Sequence, residues 1–149
     1  MRIVMELIAA RVIGDEVRYL RSERDCARTG DPTLTARAEF ARCFPQIWLR
    51  DVVLHSTSWR FEDDHLVVTY LGYSDELVQS SLVDAFPLRR VTRPGVGEDS
   101  VAAHALRHLA FLVHEDAAKF RRKLHADTIA ALEKVAPAVA GRHDLKGAA

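Results

Sequence analysis

Apolar and polar positions are patterned most clearly between Val52 and Tyr73, where VVLHSTSWRF and LVVTYLGY flank the polar tetrapeptide Glu62-Asp63-Asp64-His65. Both runs are rich in β-branched and aromatic residues, and the tetrapeptide supplies a turn, so the pattern predicts a β-hairpin. With Asp63 and Asp64 at the centre of the turn, Phe61 faces Leu66, Trp59 faces Val68, Thr57 faces Tyr70 and His55 faces Gly72. The alternate face carries Arg60, Ser58, Ser56 and Leu54 opposite Val67, Thr69, Leu71 and Tyr73. Asp is a second choice where φ must be positive, so a longer loop would shift this register. The face with Trp59, Phe61, Val68 and Tyr70 is expected to pack on the core, which makes Trp59 a core anchor.

Around the hairpin, Arg2 to Ile13 reads as a long strand and Glu16 to Arg21 as a shorter one, joined by a Gly14-Asp15 turn. That turn sets Arg11 opposite Arg18, an unfavourable pair unless an acid or anion lies between them or the two splay into solvent. Arg21 to Asp31 is a charged loop or short exposed helix. Asp31-Pro32 starts a helix that runs to about Cys43, with Leu34, Ala38, Ala41 and Phe44 inward, and Pro45 closes it. Ser74 to Phe86 reads equally as short helix or loop, Leu88 to Val91 as an edge strand, and Thr92 to Ser100 as a surface loop. Ser100 caps a helix from Val101 to about Glu115, whose apolar arc holds Val101, Ala102, Ala105, Leu106, Leu109, Leu112 and Val113. A polar helix or pair of helices covers Asp116 to Ala136, with Asp127 as a cap between them. Residues 138–149 are expected to fray, leaving one globular domain over 1–137. The fold class expected is α+β: a mixed or antiparallel sheet of about five strands with helices packed on it.

Composition narrows the function more than it names it. The chain has 149 residues, 48% hydrophobic and 28% charged, enough for one domain with a real core. Lys plus Arg and Asp plus Glu balance at 21 each, so no overall field draws in nucleic acid or an anionic membrane. The basic clusters Arg89-Arg90-Arg93 and Arg121-Arg122-Lys123 then read as solvated surface. Cys26 and Cys43 make neither a disulfide framework nor a Cys-x-x-Cys pair, which suits a reducing compartment. No apolar run approaches the length of a membrane span and the start does not read as a signal peptide, so a cytoplasmic location is expected.

The residues with chemistry to offer are histidines. His55 shares the face of Trp59 and Tyr70 beside the gap left by Gly72, an arrangement that suits a small-molecule pocket, or else a core histidine bonded to a carbonyl. His104 and His108 stand at i and i+4, one turn apart at the margin of the apolar arc of their helix. Such a pair can share a metal, but Ala105 stands where His-Glu-x-x-His has its glutamate, and Glu115 lies about 10 Å along the helix from His108. We therefore expect a histidine pair at a pocket rim, and no metal. Ser56, Ser58, Arg60 and Thr69 form a polar row that fits an anion or a solvated sheet face. No nucleophile elbow, Walker loop or dinucleotide fingerprint is present, and no cofactor is implied.

The order strand, turn, strand, loop, helix, hairpin and late helix resembles the Nudix hydrolases over roughly Arg2 to Tyr73. Ala36-Arg37-Ala38-Glu39-Phe40 stands where that family has its catalytic helix. The family's box is not met: counted from Gly30, Ala36 takes the place of the first glutamate and Phe44 that of the arginine, and no paired glutamates follow. The resemblance implies a Nudix-like α/β/α layout without the metal-binding carboxylates. HSTSWR and LVVTYLGY also look like a group of bacterial proteins, a likeness that implies no activity.

Three functions follow as expectations. The first is a small-molecule-binding domain with a pocket lined by Trp59, Tyr70 and His55, and polar contacts from His104, His108 and Arg60. The second is an enzyme using His55 or His108 as general acid–base on a small substrate. The third is a protein-interaction module working through an edge strand or the Arg89–Arg93 region. A homo-oligomer is compatible with all three. His55 is expected to meet His104 or His108 across one cavity.

Overall fold

The computed structural model describes residues 1–28, 30–93 and 100–143. Strand β1 (Arg2–Ile13) and β2 (Glu16–Asp25) form an antiparallel hairpin around Gly14, whose φ of +61° is in the left-handed region that glycine adopts freely. Helix α1 (Pro32–Cys43) follows, capped by the Asp31 carboxylate on the Thr33 amide at 2.8 Å. Strands β3 (Val53–Glu62) and β4 (His65–Tyr73) form the second hairpin, and β4 lies parallel beside β1 with Ile8 level with Leu71. Strand β5 (Asp84–Pro87) pairs with β2. Helices α2 (Val101–Glu115) and α3 (Ala126–Glu133) precede a two-residue strand, β6 (Gly141–Arg142), parallel to β3. One six-stranded mixed sheet results, in the order β5-β2-β1-β4-β3-β6, so the α+β class is observed.

Each face of the sheet has its own core. On one, Ile8, Val53, Leu71 and Tyr73 pack on Leu106, Leu109 and Val113 of α2, with Leu124 and Leu132 behind them. On the other, Met5, Leu7, Ala9 and Tyr70 pack on Ala36, Phe40 and Phe44. Central strands covered on both faces read as continuous apolar runs, which is why β1 and β4 alternate so little. Among the described residues no helix is long and apolar enough to cross a membrane.

Several expectations are corrected. The hairpin register holds from Glu62 opposite His65 to Ser58 opposite Thr69, and then Thr57 bulges out. Beyond this β-bulge the pairing slips by one, so His55 lies opposite Leu71 and not Gly72. Val68 and Tyr70 of β4 pack on a core as expected, but on β3 the two faces are reversed. Trp59 and Phe61 are 37% and 49% exposed, while Arg60 and Ser58 are buried under α2's side of the sheet. Trp59 is therefore not a core anchor. The reversal has a physical cause: β1 and β4 offer Arg60 a buried carboxylate and hydroxyl, and α1 covers the centre of the opposite face but leaves β3 open. The gap at Gly72 is filled from that opposite face, where a Cβ would stand 2.7 Å from the Phe40 ring.

Helix α1 is rotated from expectation. Leu34 is exposed, as are Ala38 and Ala41, while Thr35, Ala36, Glu39 and Phe40 are buried. Ion pairs to Glu39 make that burial possible and also carry β2 four residues past Arg21. Leu88–Val91 is a 3-10 turn, and the edge strand is Asp84–Pro87 instead, after a 3-10 turn at Gln79–Ser81. The N-cap of α3 is His125 and not Asp127. The C-terminal segment is docked as far as His143, whose amide donates to the Trp59 carbonyl at 2.9 Å. The expected loop at 94–99 and the expected fraying over 144–149 lie outside the described residues. Arg11 and Arg18 do stand opposite one another; each guanidinium donates to a loop carbonyl, of Leu77 at 3.0 Å and of Leu82 at 3.3 Å.

Candidate functional site

Four histidines gather where the β3 bulge meets α2 and the docked C-terminal segment. The bulge turns His55 onto the covered face of the sheet, and His104 and His108 reach that face from one side of α2. Nε2 of His108 lies 3.1 Å from Nδ1 of His55, with ring centroids 4.9 Å apart. His104 Nε2 donates to the carbonyl of Thr57, the bulged residue, at 3.2 Å, and its ring lies 4.7 Å from that of His143. Phe111, one turn along α2, stacks on His108 at 6.0 Å and 17°.

The protons in the His55–His108 pair follow from the carbonyls around it. A carbonyl oxygen only accepts, so a ring nitrogen in contact with one must carry the hydrogen. His108 Nδ1 lies 3.1 Å from the Ala138 carbonyl, so it donates there, and Nε2 of the neutral ring is left as an acceptor. His55 Nδ1 lies 2.8 Å from its neighbour Ser56's carbonyl and faces His108 Nε2, so it donates between them. The remaining nitrogen, His55 Nε2, keeps its lone pair on an exposed side chain. The chain Ala138 carbonyl, His108, His55 is thus a directed relay that ends in a solvent-facing base. Burial lowers the pKa of His108; the Ala138 carbonyl works against this and the charges of His55 and His104 add to it.

Beside the histidines, towards the turn of the hairpin, lies a buried ionic cluster in which Arg60 and Thr69 of the expected polar row meet an anion the sequence reading did not name, the Glu6 carboxylate. Glu6, 1% exposed at the centre of β1, accepts from Arg60 Nη1 at 2.8 Å, from the Thr69 hydroxyl at 2.6 Å and from Arg21. Burial opposes its ionisation, but the hydrogen bonds from Arg60 and Thr69 and the charges of Arg60 and Arg21 outweigh it and hold the carboxyl below its usual range. Arg60 also binds Glu62 at 2.7 Å. A single Glu inside a twelve-residue apolar strand was the signal for this cluster. Between Arg60 and the bulge, the buried Ser58 hydroxyl has no hydrogen-bond partner among the described residues.

The structure therefore brings His55 to His108 and sets His104 at the bulge beside them, but it divides the rest of the expected pocket. Arg60 is on the same face yet buried and committed to Glu6 and Glu62. Trp59 and Tyr70 are on the opposite face, where Tyr70 shares a hydrogen bond with Thr33 at 2.7 Å and Trp59 meets Phe61 edge-on at 5.8 Å. One pocket cannot hold Trp59, Tyr70 and His55 together. His143, assigned to a fraying tail, escaped notice because two-residue strands leave almost no pattern. Among the described residues no group of three or more His, Cys, Asp or Glu is placed to hold a metal. Compared with family models, with curated proteins and with solved structures, the chain matches none.

Proposed function

We propose that this protein is a small-molecule-binding domain whose polar contact is the His55–His108 pair. The observation that carries this reading is the relay: an exposed imidazole whose free nitrogen is fixed in direction by a second imidazole and a backbone carbonyl. Oriented hydrogen-bonding groups of this kind fix a ligand's position, and Phe111 beside them supplies apolar surface. The same geometry favours a second reading, in which His55 moves a proton on the bound molecule and His108 holds it in the reactive tautomer. A Nudix-like layout without the hydrolytic carboxylates is compatible with both, as is a cytoplasmic setting for the two unpaired cysteines. For a protein-interaction module, the supporting observation is the exposed Trp59–Phe61 pair on the opposite face.

The experiment is an NMR fragment screen run in parallel on wild type and His55→Ala. His55 is exposed, so its removal leaves the core intact. Binding supports the proposal if some fragments shift the His55 ring resonances and lose affinity at least about tenfold in the variant. If every fragment binds the variant as it binds wild type, the histidine site is wrong.

A further inference from the structure

A separate cleft lies across the sheet from the histidines, where α1 packs against the end of β2. Its centre is Glu39, buried at 3% exposure on α1. The Glu39 carboxylate accepts from Arg42 Nε at 2.6 Å, from Arg24 Nε at 2.9 Å and from the Ser22 hydroxyl. Burial opposes its ionisation, yet these hydrogen bonds prevail and bring its pKa down to about 2. Glu39 is thus a permanent anion near neutral pH, and it fixes two guanidinium groups side by side without using all of their donors.

Next to that cluster opens a cleft of about 540 Å³, lined by Arg24, Arg28 and Arg42 with Ala27 and Ala38 between them. This volume lies within the range of roughly 300–1,000 Å³ typical of small-molecule sites and exceeds what a single inorganic ion needs. Arg28 is exposed, and among the described residues it makes no ion pair or side-chain hydrogen bond. Asp25 also borders the cleft, but its carboxylate is already taken by Arg2 at 2.7 Å and by the Ala27 amide at 2.8 Å. Three guanidinium groups against two engaged carboxylates leave the cleft one positive charge in excess, in a chain that is neutral overall.

We infer that this cleft binds a small organic anion, a carboxylate or phosphate monoester with a compact apolar body. Arg24 and Arg42 are held in place by Glu39 before the anion arrives, which reduces the ordering cost of binding. Arg28 supplies the uncommitted guanidinium for a charge-assisted, bidentate contact. The methyl groups of Ala27 and Ala38 set the size of the apolar body. The site is independent of the histidines, which lie on the other face of the sheet.

The test is a titration of ¹⁵N-labelled full-length protein with benzoate, phenyl phosphate, inorganic phosphate and the uncharged benzamide. The expected result is saturable shifts confined to the amides of residues 24–28 and 35–42 and to the arginine Nε–H signals of that cleft. Benzamide should cause none, and phenyl phosphate should bind more tightly than inorganic phosphate. Benzoate against phenyl phosphate then tells which head group the cleft prefers. Arg28→Glu and Ala38→Trp, both at exposed positions, should weaken binding at least about tenfold with circular dichroism unchanged. Non-saturating shifts spread over arginines such as Arg50 and Arg89, or full affinity in both variants, would overturn the inference.

Discussion

Replacing Arg60 by Met tests the buried cluster on β1, β3 and β4. Methionine keeps the apolar stem of the side chain and removes the guanidinium, which is 4% exposed beside a carboxylate that is 1% exposed. Taking away one partner of a buried ion pair costs about 3–5 kcal/mol, because the other charge is left without compensation. Here Arg21 and the Thr69 hydroxyl still reach Glu6, so about 3 kcal/mol is expected at pH 7, a large part of the 5–15 kcal/mol typical of a domain. In wild type the Glu6 pKa lies below its ordinary 4.5, so its contribution is present above that value and lost on acidification. Without Arg60, two of the contributions that offset burial are lost and the folded-state pKa moves up, so the variant's penalty is smallest at low pH and grows as pH rises. Both trends narrow the gap between the two proteins as pH falls. Urea denaturation of wild type, Arg60→Met, Glu6→Gln and the double variant at pH 7 and pH 4.5 measures this. A cost below about 1 kcal/mol at pH 7, or a gap that does not change with pH, would refute the buried, ionised Glu6.

Three further outcomes follow from the packing. Gly72→Ala places a Cβ 2.7 Å from the fully buried Phe40 ring, so overpacking should cost about 1–3 kcal/mol in chemical denaturation, and Phe40→Leu should relieve it. Trp59→Ala should cost only about 1 kcal/mol, from its edge contact with Phe61 and the Arg142 guanidinium over its ring, against about 3–5 kcal/mol for Phe40→Ala. With its pKa near 2, Glu39 contributes stability above pH 4.5 that fades towards pH 2, so Glu39→Gln should flatten the acid limb of the melting curve.

The hydrophobic pattern made the two hairpins, the capped helices and the α+β class legible, because alternation and caps are local properties. It misplaced what depends on partners far away in the chain. Which face of β3 is buried was decided by Glu6, 54 residues from Arg60, since a guanidinium can be covered only where a carboxylate awaits it. Trp59 and Phe61 then took the open face although they are the more apolar choice. The bulge at Thr57 has no sequence signature, and it alone moved His55 from its expected partner to a position within 3.1 Å of His108. The two histidines were expected to meet, but by way of the Gly72 gap, which Phe40 in fact fills. In α1, Glu39 was noted only for a carboxylate pair it lacks, while its three donors from β2 and the last turn of the helix were invisible before folding.

The proposed site rests on which nitrogen of each imidazole carries the proton, and long-range ¹H–¹⁵N correlation of the histidine rings at pH 8 reads this directly. The structure predicts His108 protonated at Nδ1 with a bare Nε2, and His55 protonated at Nδ1 with Nε2 free to solvent. On lowering the pH, His108 should titrate below the ordinary histidine value of 6.5. A proton found on His108 Nε2, or a His108 ring that titrates at the ordinary value, would contradict the relay and with it the histidine site.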